Sequence, residues 1–132
     1  MRYSLEAQQL LAAAAGYSRG MGHSFVGSEH LLLALCDDGG MSGQLLRFAG
    51  MPREFTEKTV LLLRAMGTPQ LPLPQGFSPN AQRILRDSGG EAAAQRATQI
   101  QPVHIFLALL RREDCFAAQV LLLGGVDREW MF

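Results

Sequence analysis

The sequence predicts an all-α fold: two tandem four-helix repeats packed with pseudo-twofold symmetry into one eight-helix domain. Three observations lead there. The chain matches itself at a nearly constant offset. Each half carries the caps and stripes of short helices. The 48% hydrophobic share of 132 residues suffices for one core.

The internal match is the main organising fact. At an offset of 74, Ser4, Ala7, Gln8, Leu11 and Gly16 meet Ser78, Ala81, Gln82, Leu85 and Gly90. His30 meets His104, and Leu33-Ala34-Leu35 meets Leu107-Ala108-Leu109. One extra residue then moves the offset to 75, where Leu46, Gly50 and Arg53-Glu54 meet Leu121, Gly125 and Arg128-Glu129. Repeat one is 1–66, a Pro/Gly linker is 67–76, and repeat two is 77–132.

Ser4 reads as the N-cap of a first helix, with Ala7, Leu10, Leu11 and Ala14 as its apolar stripe. Gly20-Met21-Gly22 ends it. Ser78-Pro79 repeats the start, with proline in the first turn, where its missing N–H costs nothing. Ser28 is read as the cap of a second helix, Glu29 to Asp37, closed by Gly39-Gly40, and Pro102 opens its counterpart. Third helices follow at Ser42 to Ala49 and Phe116 to Leu123, stopped by Gly50 and Gly124-Gly125. Pro52 opens a fourth, with Phe55, Thr59, Leu62, Leu63 and Met66 on one face. Its counterpart begins at Asp127. Halves of about 65 residues need a shared buried face, so the repeats are expected to form one domain.

Twelve basic residues balance twelve acidic ones, which argues against general nucleic-acid or anionic-membrane binding. Lys58 is the single lysine. Cys36 and Cys115 lie in no CxxC or metal-ligand spacing and read as reduced thiols of a cytoplasmic protein. Met1-Arg2 leads straight into a capped helix, so no signal peptide is expected.

There is no phosphate-binding GxxxxGK[ST] loop, no GxSxG and no HExxH. His30 and His104, at matching helix starts, are expected to hydrogen-bond within their own repeats rather than share a metal. His23 is expected in solvent. Cys36 and His30, six residues apart, fall on roughly opposite helix faces, which removes them as a nucleophile pair. Glu29 is either a dipole partner in a first helical turn or an acid that receives a partner's arginine. No enzyme activity, cofactor or metal is expected.

Phe25-Val26-Gly27-Ser28-Glu29-His30-Leu31-Leu32-Leu33-Ala34-Leu35 resembles the GTEHLLLGL signature of the Clp N-terminal repeat domain, which heads AAA+ unfoldases of the ClpA, ClpB and ClpC type. Tyr3-Ser4-Leu5-Glu6-Ala7 and Phe77-Ser78-Pro79-Asn80-Ala81 look like that family's F-T-x-x-A opening. Leu45 to Met51 and Val120 to Val126 are similar to its V-L-x-x-L-G-V segment. The resemblance covers the whole chain, in order, twice. It implies a domain, monomeric on its own, that binds adaptor proteins and unfolded or tagged substrates and hands them to AAA+ ATPase modules. The alternative is a free-standing domain that competes with an unfoldase for its adaptors. For the ClpC branch the resemblance further implies phosphoarginine binding, with a glutamate on the guanidinium and a helix start on the phosphate. Carried over, Ser4, Leu5 and Glu29 make a first site. Ser78 and Pro79 make a second, where Val103 stands in place of the glutamate. The family's arginine before the alanine is Glu6 in one repeat and Asn80 in the other.

Overall fold

The computed structural model describes residues 2–23, 25–65, 76–112 and 115–125, and the side chains of 63–65 are not among the described parts. Helix α1 spans Leu5–Gly20, α2 Ser28–Cys36, α3 Met41–Phe48, α4 Arg53–Ala65, α5 Pro79–Ala94, α6 Pro102–Leu110 and α7 Phe116–Leu123. The fold is all-α. The expected eighth helix, from Asp127, and the linker leucines Leu71 and Leu73 lie outside the described residues. So does most of the linker; Gly76, assigned to it, belongs to a short strand instead.

The first helix of each repeat forms as its caps dictate. The Ala7 N–H donates to Ser4 Oγ and the Ala81 N–H to Ser78 Oγ, each at 3.1 Å. Behind the caps, Ala7, Leu10, Ala14 and Ser18 are buried on α1, and Ala81, Ile84, Ser88 and Ala92 on α5. That spacing is one helical stripe. By contrast α2 is buried at all nine positions, and α6 at seven of nine. A helix apolar on every side belongs in the middle, so α2 and α6 form the centre and α1, α3, α4, α5 and α7 pack around them. Gly50 and Gly125 end the third helices at φ +84° and +75°, a conformation that costs glycine nothing.

Two ladders of two residues join the repeats reciprocally. β1 (Arg2–Tyr3) runs parallel to β4 (Gln99–Ile100), and β2 (Phe25–Val26) runs parallel to β3 (Gly76–Phe77). The Ser4 N–H donates to Ile100 O and the Ser78 N–H to Val26 O, both at 2.8 Å. The start of each repeat is thus clipped to the middle of the other, which is the expected pseudo-twofold. Among the described residues no helix is long and apolar enough to cross a membrane.

Three local expectations need correction. Gly27, not Ser28, is the N-cap of α2. The Ser28 hydroxyl instead accepts the Ala117 N–H at 3.0 Å, capping α7 of the other repeat. Ser28→Ala should therefore lower stability by about 0.5–2 kcal/mol, read by urea unfolding, although α2 keeps its own cap. The α4 face differs in part: Thr59 is buried as expected, but Phe55 and Leu62 are exposed, and Thr56 and Val60 are buried. Each threonine donates its hydroxyl to the carbonyl four residues back, Pro52 O and Phe55 O, at 2.9 Å. That satisfies the hydroxyls and lets them face the core. Leu63 and Met66 have no described side chains. Lastly, α3 begins at Met41, one residue before the expected Ser42.

Candidate functional site

The ladders create two seams. At seam one the start of α5 adjoins the start of α2, because Ser78 bonds Val26, two residues before Ser28. At seam two the start of α1 adjoins the start of α6, because Ser4 bonds Ile100. The five residues predicted for a site are therefore grouped differently from the expectation. Glu29 belongs with Ser78 and Pro79. Ser4 and Leu5 belong with Val103. The reason is helix length: Ser18, at the far end of α1, donates its hydroxyl to Phe25 O, and about 20 Å of helix separates it from Ser4.

Each seam brings together two helix N-termini, the positive ends of their dipoles. Their remaining donors differ. At α5 the cap takes the Ala81 N–H and Pro79 has none, which leaves the Asn80 N–H in that first turn. At α1 the Leu5 and Glu6 N–H groups remain, but Glu6 places its own carboxylate in the turn. Leu5 is 65% exposed and Ser4 3%.

Glu29 is 1% exposed, so its carboxylate is not presented to solvent. It folds back beside Gly27. A β-carbon at position 27 would stand 1.8 Å from Glu29 Oε1, so glycine makes the room. Oε1 also lies 3.5 Å from His30 Nδ1. In repeat two the matching residues are Gln101 and Val103, with no carboxylate to house.

The histidines behave as expected in one respect and differ in another. Each bonds within its own repeat: the Gly27 N–H donates to His30 Nδ1 at 2.8 Å, and the Gln101 N–H to His104 Nδ1 at 2.9 Å. His23, expected in solvent, is instead half-buried. Its Nδ1 lies 2.7 Å from His30 Nε2, and its ring stacks on Phe25. The matching partner of His104 Nε2 is Gln95 Oε1, at 3.1 Å. Burial holds the His104 pKa below the usual imidazole value, with Glu91 partly opposing. Among the described residues no group of three or more His, Cys, Asp or Glu side chains is placed to hold a metal.

Both cysteines are free and buried. Burial pushes the Cys36 thiol up to about 11, eased by its bond to Thr56 Oγ1 at 3.4 Å. A thiol is reactive only as thiolate. Neither cysteine should react with a thiol reagent at pH 8 before unfolding; fast labelling of the folded chain would contradict their placement.

One surface stands apart from the seams. Gly124, at the end of α7, packs on Met51, between α3 and α4; a β-carbon there would lie 2.3 Å from Met51 Sδ. Close in sequence to these two residues, Phe48 is 80% exposed and Phe55 45%, and Leu122 and Leu123, just before Gly124, are 78% and 53% exposed. The composition does not mark this patch, because its members come from three helices.

The sequence pattern of the Clp repeat (R) N-terminal domain matches residues 2–69 and 76–130. The chloroplastic chaperone protein ClpC of Pisum sativum is 31% identical over 127 residues, 96% of this chain and 14% of its own. The negative regulator of genetic competence ClpC/MecB of Bacillus subtilis (strain 168) is likewise 31% identical over 127 residues, 96% of this chain and 16% of its own. The chain thus spans only a small part of such relatives. Among solved structures, the N-terminal domain of ClpD from Arabidopsis thaliana superposes with a TM-score of 0.84 at 18% identity, covering 98% of this chain and 89% of that one. The N-domain of ClpV from Vibrio cholerae gives 0.71 at 23% identity, over 98% and 80%. Both halves of the family pattern fall on the two cross-clipped repeats, and the chain belongs to the Clp repeat N-terminal domain family.

Proposed function

We propose that this chain is the protein-recognition domain of a cytoplasmic Clp-type unfoldase, holding protein substrates or adaptors for an AAA+ ring and catalysing nothing itself. The observation that carries the reading is the apolar patch around the Met51–Gly124 contact. Large exposed apolar side chains grouped in this way suit a weak, reversible grip on unfolded chain. Membership of the family supports the link to an ATPase.

Phosphoarginine is a second ligand class, favoured by the meeting of two helix N-termini at seam one. Its pocket would be shared between the repeats: Glu29 from one, Ser78 and Pro79 from the other. Two features weigh against tight binding there. Glu29 must swing out from beside Gly27 to meet a guanidinium, and the first turn of α5 retains only the Asn80 N–H for a phosphate.

Calorimetric titration separates the two. Unfolded protein should bind saturably, and phosphoarginine no better than phosphate and arginine together. Saturable phosphoarginine binding that disappears in Glu29→Ala, with no affinity for unfolded protein, would replace the leading reading by the second.

A further inference from the structure

We propose that His23 and His30 form a proton-operated clasp on seam one: with both imidazoles neutral it holds β2 against repeat two, and it lets go when the pair takes up a proton.

Hydrogen-bond direction decides this. His30 Nδ1 accepts the Gly27 N–H, so it carries no proton. Neutral His30 then bears its hydrogen on Nε2 and donates it to His23 Nδ1, 2.7 Å away. His23 in turn bears its hydrogen on Nε2. A further proton has only two places to go, His23 Nδ1 and His30 Nδ1, and each lone pair is already an acceptor. A proton on His30 Nδ1 would sit in a fully buried site and cost the Gly27 N–H bond, which outweighs Glu29 Oε1 at 3.5 Å, whereas His23 is half-buried, so the clasp takes its proton at His23 Nδ1. There it puts two N–H groups face to face and breaks the bond. Imidazole is the side chain that titrates between pH 5 and 8.

The bond is one tie on the turn between α1 and α2, beside the Ser18 hydroxyl on Phe25 O and the His23 N–H on Ser18 O at 2.9 Å. That turn carries Phe25, on which His23 stacks, and Val26, whose carbonyl takes the Ser78 N–H. Nearest among the described charged groups is Glu29 of α2, with Oε1 3.5 Å from His30 Nδ1; Arg19, in the last turn of α1, is exposed. β3 and the start of α5, from Gly76 to Pro79, bring none. Repeat two is an internal control. There His104 Nε2 donates to Gln95 Oε1, an amide oxygen with no titration in this range.

The test uses the whole 132-residue chain. Long-range ¹H–¹⁵N spectra should give His30 as the Nε2–H tautomer at pH 8. Amide-exchange protection of Ser78 should fall roughly tenfold, the worth of one lost hydrogen bond, as His23 titrates. Protection of Ser4 at seam two should stay level through that titration. His23→Gln sets a non-titrating amide opposite His30, as Gln95 stands opposite His104, and should keep Ser78 protected at pH 5. A Nδ1–H tautomer for His30 would overturn the proposal without any variant. So would a Ser78 response that His23→Gln leaves intact, one equal to that of Ser4, or no response at all.

Discussion

Replacing Phe106 by alanine should cost about 3–5 kcal/mol. Its ring is 1% exposed, in the middle of the buried α6. The matching position in repeat one is Leu32, so the ring fills space on one side of the pseudo-twofold that a smaller side chain fills on the other. The two central helices pack on one another and on all the rest, and the void would open where no surface loop can collapse into it. Domains of this kind have about 5–15 kcal/mol in total. The loss is thus a large part of the whole, and the urea midpoint should fall steeply with little change in slope. A cost below about 1 kcal/mol would mean that the core is not where the structure puts it.

Gly43→Ala should also destabilise, by about 1–3 kcal/mol, although alanine is normally the better helix residue by about 0.5–1 kcal/mol. The clash outweighs the propensity. A β-carbon at 43 would stand 1.9 Å from the Asp38 carbonyl oxygen and 2.8 Å from its carbon, and backbone does not yield as a side-chain tip does. Repeat two shows why. Its counterpart is Ala118, which keeps its methyl. The connection between α2 and α3 is residues 37–40, four residues, whereas that between α6 and α7 is 111–115, five. The shorter turn brings Asp38 onto α3. Thermal unfolding of Gly43→Ala beside Ala118→Gly checks both signs, and a gain in stability from Gly43→Ala would refute the account of this turn.

The helices were legible because caps and a 3.6-residue period are local signals: Ser4, Ser78 and the alanine-leucine stripes stand where the structure has them. The duplication was legible as well. What it could not tell was which equivalent residues become neighbours. Equivalence is a property of sequence, whereas pairing comes from ladders of two residues, too short to carry a period. Hence equivalence pairs Glu29 with Ser4, whereas the ladders pair it with Ser78. Ser28 follows the same rule, its acceptor being used 89 residues away. On α4 the difference is chemical: Thr56, whose hydroxyl bonds its own helix, joins the expected Thr59 on the buried face, and Phe55 and Leu62 do not. His23 gave no signal, since nothing local marks it as the partner of a histidine seven residues on.

Fluorescence anisotropy of a labelled, permanently unfolded protein tests the central claim most directly. Three chains should be compared: the natural one, Leu122→Ser on the patch, and Leu5→Ser at seam two, where a leucine 65% exposed stands on another helix. The account predicts saturable binding that native protein does not compete away, weakened fivefold or more by Leu122→Ser and unchanged by Leu5→Ser. Binding that is absent, or that Leu5→Ser weakens while Leu122→Ser does not, would contradict it.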